Sequence, residues 1–157
     1  MASTSVTETL NKFYGFTGGG EKLIVDAAGV LVFPEIIKAG LFGFGGQYGA
    51  GALVVNKEID SYYELISASF GFQLGIQSYS TIIVFLTENA LKEFKYSEGW
   101  KIGVDASVAV ITLGAGAKLD TENIKDSVIA FVFDNKGLMY SLSLEGTKIS
   151  RLPDPKK

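Results

Sequence analysis

The chain of 157 residues contains neither cysteine nor histidine. Those two absences exclude disulfides, zinc–thiolate sites, cysteine nucleophiles and every Ser-His-Asp arrangement. Arginine occurs once, at Arg151, and the 14 basic residues are scattered against 17 acidic ones for a net charge of −3. A nucleic-acid binder presents a basic face, and none is written here. Proline is scarce, and no apolar run approaches the ~18 residues of a membrane-crossing helix; the strongest is Ile82-Ile83-Val84-Phe85-Leu86. Met1-Ala2-Ser3 does not open a signal peptide, because no basic region followed by an apolar one is present.

Apolar residues nevertheless make up 47% of the chain, with a mean hydropathy of +0.27. A surplus without long runs belongs to many short strands. The richest segment is Ala39-Gly40-Leu41-Phe42-Gly43-Phe44-Gly45-Gly46-Gln47-Tyr48-Gly49-Ala50-Gly51, echoed by Phe70-Gly71-Phe72-Gln73-Leu74-Gly75-Ile76-Gln77. Both repeat with period 2, the period of a strand. Glycines at 43, 45, 49 and 51 fall on one face, and the rings of Phe42, Phe44 and Tyr48 on the other. Glycine weakens a strand, so its repetition implies a close neighbour over that face: a helix, another strand or an acyl chain.

The spacing predicts a helix over 3–14, with Ser5 and Glu8 in capping-box register and Val6, Leu10, Phe13 and Tyr14 on one side. Gly18-Gly19-Gly20 breaks it, and Leu23, Ile24, Ala27 and Ala28 mark a second short helix. Strands are expected near 30–33, 41–48, 50–56, 62–77 with an interruption, 79–86, 100–113, 128–133, 138–144 and 146–150. A third helix starts at Thr87 as N-cap, with Ala90, Leu91 and Phe94 inward. Val30-Leu31-Val32-Phe33-Pro34 is echoed by Ala130-Phe131-Val132-Phe133-Asp134, which suggests related elements in one sheet.

Gln73, Gln77, Asp105 and Ser107 alternate with apolar neighbours, and small residues flank them. That pattern suggests a covered face on which they form an internal polar network, since buried polar groups need partners. Lys38 and Lys136 each stand beside glycine at a strand entrance, where a lysine is either simply solvated or one of a pair of ammonium groups that touch lipid phosphate as point charges. The Gly43–Gly49 run is no nucleotide loop: Tyr48 replaces the glycine that G-x-G-x-x-G requires, and a strand follows instead of a helix. No facing carboxylate pair stands out, so no enzyme is expected.

Several segments together resemble the lipid-binding SYLF domain family, in its bacterial form. They are Ala28–Pro34, Lys38-Ala39-Gly40, Gly45-Gly46-Gln47-Tyr48-Gly49, Phe72–Ser80, Gly103–Ala109, Lys136–Tyr140 and Ser143-Leu144-Glu145-Gly146, in family order. The resemblance implies a non-enzymatic domain that binds phospholipid or a membrane surface without a cofactor. Where Gln47 stands the family often has arginine. Lys38, Gln47, Tyr48, Lys136, Phe13 and Phe16 are the lipid-contact candidates, the last two through a mobile N-terminal lid. The alternative is an envelope or cytoskeletal scaffold that uses the same apolar surface for a protein partner or a second copy.

The expected fold is α+β and β-rich: a strongly twisted antiparallel sheet or partly closed barrel with short flanking helices. Residues 1–19 form a helix and glycine linker, 20–152 the SYLF-like domain and 153–157 a polar tail. A periplasmic or envelope location is expected if a leader was removed.

Overall fold

A computed structural model describes residues 2–41, 44–70, 75–114, 125–136 and 147–153. Three helices, α1 (Ala2–Phe16), α2 (Gly20–Asp26) and α3 (Glu88–Tyr96), flank one sheet. Its strands are β1 (Gly29–Leu41), β2 (Phe44–Val55), β3 (Glu58–Phe70), β4 (Gly75–Phe85), β5 (Trp100–Lys101), β6 (Ala109–Thr112), β7 (Val128–Lys136) and β8 (Lys148–Leu152). The order is β5-β8-β3-β2-β1-β4-β7-β6, curled into a half-barrel. Every pair is antiparallel except β6 with β7, which run parallel. The protein is therefore α+β and β-rich, as its alternating pattern predicts.

Alternation along the central strands divides the core in two. Leu31, Phe33, Leu53, Tyr63, Ile83 and Phe85 are buried on one face, which α3 closes with Leu91 and Phe94. Phe94 packs on Phe85 and Tyr63 at 4.7 Å each and meets Trp100 edge-on at 5.2 Å. The opposite face buries Val30, Val32, Ala52, Ile82, Ile129 and Phe131 under α1 and α2. There Phe13 is fully buried, 5.0 Å from Phe131 and 5.7 Å from Phe133. Burying such rings stabilises by ~1.5–3 kcal/mol each, so α1 is a structural layer.

The glycine-rich strand meets a neighbouring strand. Registers shift between Val32 and Ile36 on the β2 side and between Phe33 and Ile36 on the β4 side. One extra residue in β1, at Pro34-Glu35, makes a bulge, a position where proline's missing N–H is tolerated. The bulge presses β1 onto β2. A Cβ at Gly49 would stand 2.7 Å from Ile36 Cγ1 and 3.1 Å from the Glu35 carbonyl oxygen. One at Gly51 would collide with the Val32 carbonyl oxygen and stand 2.7 Å from the Phe33 ring. β7 bulges at the matching point of its echoed sequence: Phe133 pairs with Ser80 and Lys136 with Ser78, leaving two residues opposite Tyr79. Asp134 there takes a left-handed φ of 56°.

Local signals fared unevenly. Thr87 caps α3, accepting from Ala90 N–H at 3.1 Å. Ser5 does not cap α1; it lies inside the helix, its carbonyl accepting from the Thr9 hydroxyl at 2.7 Å. Pro34 does not end the first strand, which continues through it to Leu41. The expected strand over 100–113 is broken by a turn. Gly103 supplies φ 83°, and the Asp105 carboxylate accepts the Lys101 N–H at 2.8 Å. The strand expected over 138–144 lies outside the described residues. α3 is also tied to β3 by Lys95 and Asp60, 3.2 Å apart.

Two measurements check this packing. Gly51→Ala forces backbone against backbone and is expected to cost about 1–3 kcal/mol by overpacking, whereas Gly15→Ala faces open space in α1 and should leave the melting temperature unchanged or raised. Burial alone would raise the Asp60 carboxyl, but the Ser61 hydroxyl and Lys95 ammonium outweigh it and hold it below the ordinary carboxylate value. That contribution is complete above the unfolded carboxyl's pKa and disappears as pH falls through the lower folded value. Between about pH 5 and about pH 2 the melting temperature of the wild type should therefore drop further than that of Asp60→Asn.

Candidate functional site

The β1 bulge exchanges the two sides of the strand. Before it Leu31 and Phe33 face the α3 side; after it Ile36 and Lys38 do. Lys38 consequently stands between Gln47 of β2 and Gln77 of β4 in direct register. Gln47 is buried at 8% exposure. Its amide Nε2 donates to Ser67 Oγ at 3.2 Å, and its Oε1 accepts from the Tyr79 hydroxyl, which crosses β1 to reach it. Burial raises the Tyr79 phenol above its ordinary pKa, so it remains a neutral donor. The inner wall of the half-barrel thus ends in a polar row of amides, hydroxyls and one ammonium.

This is an internal polar network of partly different membership from the expected one. Gln77 lies in the row. Asp105 and Ser107 do not, because the turn at 103–105 carries them to solvent, where both are exposed. Gln73 lies outside the described residues. Lys136 is placed opposite Ser78 by backbone register, and its side chain lies outside the described set.

On the reverse of the same strands, beyond the bulge, the sheet is open. Ile66, Tyr48 and Ile37 are directly paired across β3, β2 and β1, and Ile76 follows on β4 opposite Ala39. They are 46%, 51%, 46% and 74% exposed. Between them lie Gly46, Ala50, Ala68 and Ser78; Glu64, the exposed Lys148 paired with Ile66 on β8, and Glu35 near Ser78 bound the row. Four strands at ~4.8 Å spacing make this patch about 15 Å wide. Sequence reasoning found Tyr48 and missed the three isoleucines. The bulge hides Ile37, which a regular β1 would have turned inward.

Phe13 and Phe16 are not available to a membrane in this fold. Phe13 is fully buried, and Phe16 is half-buried with its ring 5.7 Å from Phe133. Gly20 belongs to the packing rather than to a free joint, since a Cβ there would stand 2.7 Å from the Phe13 ring.

A third feature opens between α1, α2 and the β2–β3 hairpin: a cleft of about 820 Å³. Val6, Leu10, Ile24, Val25, Val54 and Ile59 form its apolar walls, and Glu21, Lys57 and Glu58 its charged lining. Among the described residues no group of acidic side chains could hold a metal ion, and no helix is long and apolar enough to cross a membrane.

The family described as "Ysc84: Las17-binding protein actin regulator" matches residues 66–155, from the Ile66 end of the open patch through β4, α3 and β7 to the C-terminal strand. The chain belongs to the Ysc84, or SYLF, family. No curated protein matches it significantly. The family description names Las17 binding and regulation of actin. The helical cleft is built from residues 6–59, upstream of the matched segment.

Tyr79→Phe tests the polar row. It leaves buried Gln47 Oε1 without its phenol donor, and such an unpaired group costs about 1–3 kcal/mol. Chemical denaturation should show that loss with an unchanged slope, because the fold and its buried area are preserved.

Proposed function

We propose that this SYLF domain is a non-catalytic module that associates reversibly with phospholipid membranes through the open sheet face. The observation that carries the reading is the contiguous exposed apolar row of Ile66, Tyr48, Ile37 and Ile76, with charges only at its border. Scattered exposed apolar residues need no explanation, but a contiguous patch does. Tyr48 suits a water–lipid boundary, its ring apolar and its hydroxyl polar.

Magnitudes favour a weak contact. Each large side chain gains up to ~1.5–3 kcal/mol on full burial, and these begin about half buried. The sum is of order 4 kcal/mol before ordering costs, in the range of millimolar affinity. A patch of this width also falls short of the ~800 Å² per partner of a stable protein dimer. Lipid contact without directional partners therefore suits the face better than a self-interface. Lys38 takes no direct part, because it points to the inner wall and not to this face, whereas Lys148 stands at the border beside Ile66.

A protein partner is the second reading, favoured by the family description, which names Las17 binding and actin regulation. It would use the same apolar row.

Co-sedimentation with phosphatidylcholine vesicles separates the two. The wild type should pellet with vesicles with little dependence on salt, since phosphatidylcholine vesicles carry no net charge for the bordering Lys148 and Glu64 to attract or repel across the ~8 Å screening length. Ile37→Asp with Ile66→Asp should reduce the pelleted fraction at least tenfold while far-UV circular dichroism is unchanged. Vesicle binding that survives this pair, or that vanishes in salt, would overturn the sheet face as the contact. No vesicle binding together with actin-filament co-sedimentation would favour the protein partner.

A further inference from the structure

The cleft above α1 and α2 carries a combination of features that the open sheet face lacks. Its walls are aliphatic, with Val25 left 64% exposed on the short α2. At about 820 Å³ it falls within the roughly 300–1,000 Å³ of sites that enclose one small ligand. Charges of both signs stand in its lining: Lys57 and Glu58 at the β2–β3 hairpin, Glu21 in the first turn of α2. The ring of Tyr14 stands beside them.

The hairpin tip supplies a second, independent observation. Asn56 and Lys57 form a two-residue turn with φ of 53° and 68°. Asparagine is at home in that left-handed geometry, and the following position favours glycine. A lysine there is strained, because its Cβ crowds the neighbouring carbonyl oxygen. The chain holds an ammonium group at the cleft against its own turn preference.

We propose that this cleft binds a single-chain zwitterionic lipid, such as a lysophospholipid. The acyl chain lies along Val6, Leu10, Ile24 and Val54, the phosphate meets Lys57, and the quaternary or primary ammonium lies among Glu21, Glu58 and the Tyr14 ring. A free fatty acid fits less well, because its lone carboxylate would share the opening with two glutamates. An aromatic face beside carboxylates is suited to a quaternary ammonium through cation–π attraction. The site shares no residue with the sheet face proposed to meet membranes, and neither reading requires the other.

Titration calorimetry of the full chain with palmitoyl lysophosphatidylcholine, below its micelle concentration, tests the assignment. Saturable one-to-one binding is expected, at least tenfold tighter than for palmitate. Val25→Asp puts a charge on an already exposed wall position and should weaken binding at least tenfold with the melting temperature unchanged. Lys57→Gly should raise the melting temperature by relieving the turn and yet weaken lysolipid binding about tenfold, a pairing that a purely structural lysine would not give. Ile37→Asp with Ile66→Asp should bind lysolipid as the wild type does. The proposal is overturned if the wild type shows no saturable binding, if palmitate binds equally well, or if Val25→Asp and Lys57→Gly leave affinity unchanged. Loss of vesicle binding alone would count only against the sheet face.

Discussion

The structure depends on the close approach of β1 to β2, where the bulge at Pro34-Glu35 lies against the side-chain-free backbone at Gly49 and Gly51. A methyl group at Gly51 would occupy the space of the Val32 carbonyl. Interiors are packed to crystal-like density and do not absorb such an intrusion without shifting backbone. The bulge strengthens local twist, and the same step recurs at Asp134 in β7, on the far side of β4. Two strands bent at one level on either side of a third curl the sheet instead of splaying it.

The bulge also sorts chemistry. A one-residue slip moves every following side chain to the other face. Before it, β1 alternates aliphatic residues into two cores; after it, Lys38 enters the half-barrel wall and Ile37 faces outward. A half-buried ammonium gains from polar neighbours, and Gln47 and Gln77 stand on either side of it in register. An outward isoleucine next to Tyr48 and Ile66 starts an apolar surface. The polar row and the open patch are two consequences of one inserted residue.

Much of the architecture was legible in the chain. Period-2 patterning identified the strands, and bare glycine positions announced a close neighbour. The neighbour's identity was not legible, because a strand, a helix and an acyl chain all require the same missing side chain. Alternation also misled over 100–113, where apolar residues continue through Gly103 and Asp105. An aspartate that accepts a backbone N–H four residues earlier closes a turn whatever the hydropathy around it, and this is why Asp105 and Ser107 left the expected network. Ser5 and Glu8 had cap spacing, but the helix starts upstream of them. Pro34 reads as a terminator and serves as a bulge. Phe13 and Phe16 read as a mobile lid that could meet lipid, and the proximity of Phe131 and Phe133 shows how they pack against the core instead.

Helix length limits what the sheet can hide. At about 1.5 Å per residue, the fifteen residues of α1 span about 22 Å, while thirteen residues of β1 at about 3.3 Å span about 43 Å. Even perfectly aligned, α1 covers half of that face. The seven-residue α2 adds about 10 Å and stops short of the β2–β3 hairpin. This mismatch leaves two apolar openings of different shape. Past the bulge the surface is broad and apolar with charges only at its border, suited to a partner that offers no specific contacts. At the hairpin the cleft has aliphatic walls and a lining of opposed charges, which suits a single molecule with a polar head and one tail. A longer α1 or α2 would bury more apolar surface at about 25 cal/mol per Å² and stabilise the fold. Helices this short give up that stabilisation and leave both openings accessible, as a binding module requires.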